Sequence, residues 1–138
     1  MADLKNIYDI AGRSMGSQLI RLNTIASNIA NAGTMSGNAE EAYRSIKPVF
    51  ETAYGDQFKQ NGIATVHVAD VVQTDMQPTK VYMPFHPEAD VEGYVYGAAV
   101  NLEEEYVEML EASRQYQNNV EVITTMRALD LRTINLGK

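Results

Sequence analysis

Residues 8–33 read YDIAGRSMGSQLIRLNTIASNIANAG, and their spacing decides the fold. Tyr8, Ala11, Met15, Gln18, Leu22, Ile25, Ile29 and Ala32 recur at alternating intervals of three and four, and Gln18 is the single polar member. That is a heptad-type stripe on one face of a helix. A helix from about Leu4 to Ala32 would be roughly 43 Å long. Asp3 is placed to cap its start, and Gly33 to end it in a left-handed conformation. Gly12 and Gly16 each cost such a helix about 1 kcal/mol relative to alanine. Close approach of another backbone would explain them.

The other end of the chain behaves alike. Tyr106, Met109, Ser113, Tyr116, Val120 and Ile123 repeat at three and four, and Val122, Met126, Leu129 and Leu136 extend a second apolar strip. Glu103, Glu104, Glu105, Glu108 and Glu111 crowd the head of this segment, while Arg127, Arg132 and Lys138 lie at its tail. Both placements suit the dipole of a helix running from about Leu102 to Leu136.

Between the two, proline and glycine take over. Pro48, Pro78, Pro84 and Pro87 all fall in the middle third, where they forbid long helices. Ala64, Val66 and Val68 alternate with Thr65, His67 and Ala69, the pattern of a half-buried strand. Ile46–Thr52 is a further strand, which Pro48 confines to an edge. Lys80–Met83 and Gly93–Tyr96 are two more, and Gly33–Asn38 and Gly55–Gly62 read as loops.

Composition narrows the functional classes. The 138 residues carry 11 Lys+Arg against 18 Asp+Glu, a net charge of −7, which disfavours a nucleic-acid binder. By segment the net charge is +1 over 1–32, −5 over 33–98 and −3 over 99–138. There is no cysteine, so no disulfide or thiolate metal site. No apolar run is long enough to span a membrane. The opening residues lack the basic and apolar regions of a cleaved secretory signal. The default reading is cytoplasmic, and a protein exported with its N-terminus intact would look the same.

Catalytic readings are weak. No nucleophile-elbow pattern is present, and Gly33-Thr34-Met35-Ser36-Gly37 lacks the lysine of a phosphate-binding loop. His67 and His86, with Asp70 and Asp90 nearby, fit no metal-ligand spacing. The clustered glutamates read as a solvated helix start rather than an acid–base pair. Gly12 and Gly16 have membrane-helix spacing, yet Asp9, Arg13, Gln18 and Arg21 make the segment too polar for lipid. The reading is therefore of no enzyme, no metal, no cofactor and no small-molecule substrate.

The informative feature is a shortage of charge. Between Ser14 and Ala39 only Arg21 is charged, and between Gln115 and Met126 only Glu121. The off-stripe faces carry Ser, Thr, Asn and Gln instead. A single helical hairpin with a plain polar back is one explanation. Helices that contact other subunits on several sides is the other, and charge depletion marks such surfaces.

Six stretches then resemble one family. Ala26-Ser27-Asn28-Ile29-Ala30-Asn31-Ala32-Gly33-Thr34 is similar to the N-terminal signature of bacterial flagellar rod, hook and related axial proteins. Asn6-Ile7-Tyr8-Asp9-Ile10-Ala11-Gly12, His86-Pro87-Glu88-Ala89-Asp90 and Gly93-Tyr94-Val95 resemble the proximal-rod members. So do Glu111–Val122 and the tail Leu131–Gly137. Loops 34–42 and 53–62 match no family pattern.

The resemblance implies an α+β fold. Helix 1–34 would pair with helix 101–138 as an antiparallel coiled-coil inner domain, and 35–100 would form a small β-rich outer domain. It implies a structural, non-enzymatic subunit of the periplasmic rod, built helically around the export channel and transmitting torque. Partners would be copies of itself, other rod proteins, the rod–export-gate adaptor, the surrounding membrane ring and the type III export apparatus, which exports without signal cleavage. Residues expected to pack between subunits are Tyr8, Gly12, Met15, Leu22, Ile25, Ser27, Asn28, Ile29, Asn31 and Thr34 on the first helix. On the last they are Tyr106, Met109, Ser113, Arg114, Tyr116, Asn119, Val120, Glu121, Ile123, Met126, Leu129 and Leu136. A further expectation is that the helix ends order only on assembly.

Overall fold

The computed structural model describes residues 2–54 and 64–136. Two long helices, α1 (Ala2–Asn31) and α2 (Leu102–Leu136), enclose five short strands in sequence. These are β1 (Met35–Ser36), β2 (Ile46–Tyr54), β3 (Ala64–Gln73), β4 (Thr79–Tyr82) and β5 (Tyr94–Gly97). The fold is α+β, as the spacing of residues requires. The Gly55–Gly62 loop lies outside the described residues.

The helices run antiparallel, and polar contacts record their register. Tyr8 donates to Asp130 at 3.0 Å, Asn119 to Ser14 at 2.9 Å and Asn28 to Glu105 at 3.0 Å. As position rises along α1 it falls along α2. The seam on α1 follows the expected stripe, with Ala11 and Ile25 buried and Met15, Leu22 and Ile29 half-buried.

The seam on α2 is rotated from the expected one. It comprises Glu105, Met109, Ala112, Tyr116, Asn119, Ile123, Met126 and Asp130, whereas Tyr106 and Val120 turn outward. Apolar count favours 106, 113 and 120. The helix instead turns in Glu105, Ala112 and Asn119, of which Glu105 and Asn119 meet Asn28 and Ser14 on α1.

β2 and β3 form an antiparallel two-stranded ribbon in the register Ile46↔Gln73 to Tyr54↔Ala64, with a bulge where Val49 faces Asp70 and Phe50 faces Val68. Each strand has one free edge, which tolerates the missing N–H of Pro48. The ribbon is less buried than a half-buried strand pattern suggests, since Val66, Val71 and Val72 on β3 are all exposed. It packs on α1 by one face alone.

The other sheet has the order β1-β5-β4, antiparallel throughout. Met35–Ser36, read from sequence as loop, is its third strand, too short for any alternation to show. Val95 at its centre is fully buried.

The end of α1 also differs from expectation. Gly33 is not left-handed; the positive-φ residue among those described is Gly93. Thr34 closes the helix instead, its amide and its hydroxyl both donating to the Asn31 carbonyl at 3.0 and 2.7 Å. Asn31 in turn donates to the Ser27 carbonyl. At the start, helix already includes Ala2, which leaves Asp3 inside the first turn rather than ahead of it. A Cβ added at Gly12 or Gly16 meets open space, so no backbone among the described residues explains those glycines.

Candidate functional site

The chain's polar groups converge where the last turns of α1, the first residues of β2 and the first turns of α2 meet. Ser17, Arg21, Thr24 and Asn28 fall at intervals of four, three and four, so one side of α1 carries all of them. That side faces the ribbon and α2, and Ser17, Thr24 and Asn28 are buried.

Asn28 is 1% exposed and its amide is fully used. Nδ2 donates to the Ile46 carbonyl at 2.9 Å and to Glu105 Oε1 at 3.0 Å. Oδ1 accepts from the Ile46 N–H at 2.9 Å and from the Tyr43 hydroxyl at 3.0 Å. The reciprocal pair with Ile46 is what a neighbouring strand would offer, so a side chain on α1 stands in for a peptide group and starts β2. All four hydrogen-bonding positions of an amide are then filled.

Adjacent segments share the same knot. Ala99 donates to the Tyr43 carbonyl at 2.7 Å, Ser45 to the Ala99 carbonyl at 3.2 Å and Thr74 to the Ser45 carbonyl at 2.9 Å. These bonds tie the ribbon, the approach to α2 and the end of α1 together.

The glutamates at the head of α2 do more than complement a dipole. Asn101 Oδ1 caps the helix, accepting from the Glu103 and Glu104 amides. Lys47 Nζ lies 2.8 Å from both Glu104 and Glu108. Those two bonds hold the Lys47 ammonium above its ordinary range. Arg21 reaches Glu108 at 3.7 Å and Glu111 at 3.6 Å. The one charge in the depleted stretch of α1 is thus committed to α2. The reading of these glutamates as a solvated start holds for Glu103, Glu104 and Glu111, which stay exposed, but not for Glu105, which is buried, or Glu108, which is half-buried.

Glu105 is 3% exposed, and burial pushes its carboxyl above the usual range while the Asn28 bond opposes that shift. Its Oε2 and the Oε1 of Gln18 are buried acceptors without partners among the described residues. A group left so costs about 1–3 kcal/mol.

The residues expected between subunits divide in three. Ile25 and Asn28 are buried within the chain. Tyr8, Met15, Leu22, Ser27, Ile29, Asn31, Met109, Ser113, Tyr116, Asn119, Ile123 and Met126 are half-buried along the seam or its borders. Ser27 also lies 3.4 Å from the Tyr43 hydroxyl. Gly12, Thr34, Tyr106, Arg114, Val120, Glu121, Leu129 and Leu136 face outward.

Glu105, Ala112, Tyr43 and Lys47 are the members that sequence reasoning missed. Positions 105, 112, 119 and 126 do keep a heptad interval, a signal hidden because two of the four are polar.

Outward faces remain apolar along both helices. Ile7, Ile10, Leu19 and Ile20 are exposed on α1, as are Val107, Leu110, Leu131 and Ile134 on α2. No described helix is long and apolar enough to cross a membrane. His86 accepts the Glu88 amide through Nδ1, a turn contact, and no group of metal-binding side chains occurs among the described residues.

Comparison with known proteins agrees with this layout. A family model for flagella basal body rod proteins matches residues 9–35, within α1 and its exit. The C-terminal model of flagellar basal body rod FlgEFG proteins matches residues 91–136, which contain β5 and α2. Across 98% of both chains the sequence is 40% identical to flagellar basal-body rod protein FlgC of Escherichia coli and 38% identical to that of Salmonella typhimurium. It is 30% identical over the full length to flagellar basal-body rod protein FlgC of Aquifex aeolicus. The chain belongs to the FlgC family of flagellar basal-body rod proteins.

Proposed function

We propose that this chain, a non-enzymatic structural subunit of the flagellar basal-body rod, assembles helically through the outward faces of α1 and α2 and transmits torque through them. The observation that carries the reading is that both helices are apolar on their outer sides as well as along their seam. Leu19 and Ile20 on α1 and Val107 and Leu110 on α2 are exposed. A helix apolar on two sides needs neighbours on two sides. The polar remainder is amide and hydroxyl rather than charge, which several neighbours can satisfy without burying ions.

On this reading residues 1–34 and 101–138 form the inner domain around the export channel, and 35–100 the outer one. Neighbours are other copies, other rod proteins, the rod–export-gate adaptor and the surrounding ring, and delivery is by type III export with the N-terminus retained. The open space over Gly12 and Gly16 is where a neighbouring helix would approach most closely.

The test is Val107→Asp with Leu110→Asp in cells that lack the native copy. Both side chains are solvent-facing in the single chain, so monomer stability should move by no more than about 0.5 kcal/mol. Rod assembly and swimming should be lost. Retained motility overturns the helix-face reading.

A further inference from the structure

The turn between β4 and β5 presents apolar side chains that its own packing does not use. Phe85 is 99% exposed and Val91 is as open, with Tyr82 largely exposed beside them in sequence. Single exposed apolar residues are common, but a bare phenylalanine on an ordered loop with a second such residue is not.

The loop is ordered by its own bonds. Met83 donates to the Gly93 carbonyl at 2.9 Å, His86 to Met83 at 3.0 Å and Ala89 to His86 at 3.0 Å. Asp90 Oδ1 accepts the Glu92 and Tyr94 amides at 2.9 and 2.8 Å. Gly93 sits at φ +83°, and a Cβ there would meet Tyr82 and Pro84 at 3.0–3.1 Å. From outside, Gly37 packs so closely that a Cβ would lie 2.7 Å from the Glu88 carbonyl oxygen. Both glycines are required by close approach. The segment that holds Gly37 thus serves as a buttress.

The loop also has a charge. Residues 83–93 carry Glu88, Asp90 and Glu92 and no lysine or arginine. Lys80 stands 3.9 Å from Glu92, but 4.0 Å from the centre of the Tyr94 ring, so its charge is divided.

We infer that the 83–93 loop is a preformed plug, with Phe85 and Val91 as anchors, for an apolar socket rimmed by Lys or Arg on a different protein. A backbone already held by its own hydrogen bonds loses little freedom on docking, and large apolar side chains seated in pockets carry most of an interface's energy. The carboxylate collar selects a cationic rim. It also disfavours the alternatives. An anionic leaflet repels it. On a second copy, the hollow lined by Val107 and Leu110 carries one cation, Arg114, against Glu103, Glu104, Glu108 and Glu111 around it, and the hollow lined by Val122 and Met126 is bordered by Glu121. The loop lies outside both helices, so this partner is separate from those proposed for the helix faces.

The test places p-benzoylphenylalanine at position 85, and separately at 91, in the full chain expressed in its own motile cells, with photo-adducts identified by mass spectrometry. The expected result is an adduct to one other protein, at residues beside Lys or Arg. Glu88→Lys with Glu92→Lys should cut its yield about tenfold, the scale of an interface anchor. Reversing the mapped cation on the partner should restore it. Adducts with lipid, only with copies of this chain, or none, overturn the inference, as does a yield indifferent to charge reversal.

Phe85→Ser with Val91→Ser supplies a second readout. Swimming should fall with an unchanged melting temperature, because neither side chain supports the fold; unchanged swimming overturns the inference. Val107→Asp with Leu110→Asp, run alongside, reports on helix packing separately.

Discussion

The two ends of the helix pair are built differently. At the junction end, Asn28, Tyr43, Ile46 and Glu105 join three segments through bonds of 2.9–3.0 Å, and Lys47 and Arg21 add ion pairs across the same gap. At the distal end, beyond Gln18 on α1 and Gln115 on α2, the polar links between helices are Tyr8–Asp130 and Asn119–Ser14. There the outer positions Ile7, Ile10, Leu131 and Ile134 are bare. The contrast shows a chain that ties one end together by itself; on the proposed reading, contact with neighbours completes the other. Two helices alone bury too little apolar surface to offset the ordering of their backbones.

The comparison breaks most readily at Asn28. Asn28→Ala orphans the Ile46 amide and carbonyl and strips Glu105 of its bond. It should cost at least about 3 kcal/mol in urea unfolding. A loss under about 1 kcal/mol would mean that the junction is not the stronger end.

The buried acid adds a pH signature. Glu105 has a folded-state pKa raised above 4.5, so the folded chain binds more protons than the unfolded one above that pH. Its contribution is complete below about pH 4.5 and is lost as pH rises through the folded value. Glu105→Gln should remove that falling component from the urea midpoint measured between pH 4.5 and 7; superimposable profiles would place the proton elsewhere.

Distal substitutions should matter less. Asn119→Ala, which breaks the half-buried bond to Ser14, should cost about 1 kcal/mol or less by the same unfolding assay. Amide exchange in the isolated chain should be slowest near Ile25, Val95 and Ala112 and fastest toward Ala2 and Leu136. Uniform protection along both helices would contradict the expectation that the ends order on assembly. Smallest of all, Gly12→Ala has room for its methyl group and should stabilise the lone chain by up to about 1 kcal/mol. If swimming suffers nonetheless, the space over Gly12 belongs to a neighbour.

Helix existence and pairing were legible because the stripe from Tyr8 to Ala32 is nearly all apolar, and because no proline enters either end. The seam of α2 was not legible. It turns on Glu105 and Asn119 finding Asn28 and Ser14 in a segment remote in sequence, and periodicity ranks polar residues as surface. The charge shortage was visible, but its meaning was mixed. Ser17, Thr24 and Asn28 serve the chain's own ribbon, whereas Gly12 and Val120 stay outside. Phe85 drew no reading, since in a Pro-rich turn neither periodicity nor charge tells an exposed side chain from a buried one.

Asn28 has a mechanical consequence. Its reciprocal bonds to Ile46 tie α1 to β2 near the end of the helix, and α2 follows through Glu105 and, far from that root, through the Tyr8–Asp130 bond. Tyr8 is about 30 Å from the root along the axis, so a tilt of the pair by about 5° swings it by about 3 Å. On the proposed reading the two helices lean together toward a neighbour, and the bonds between them survive the movement.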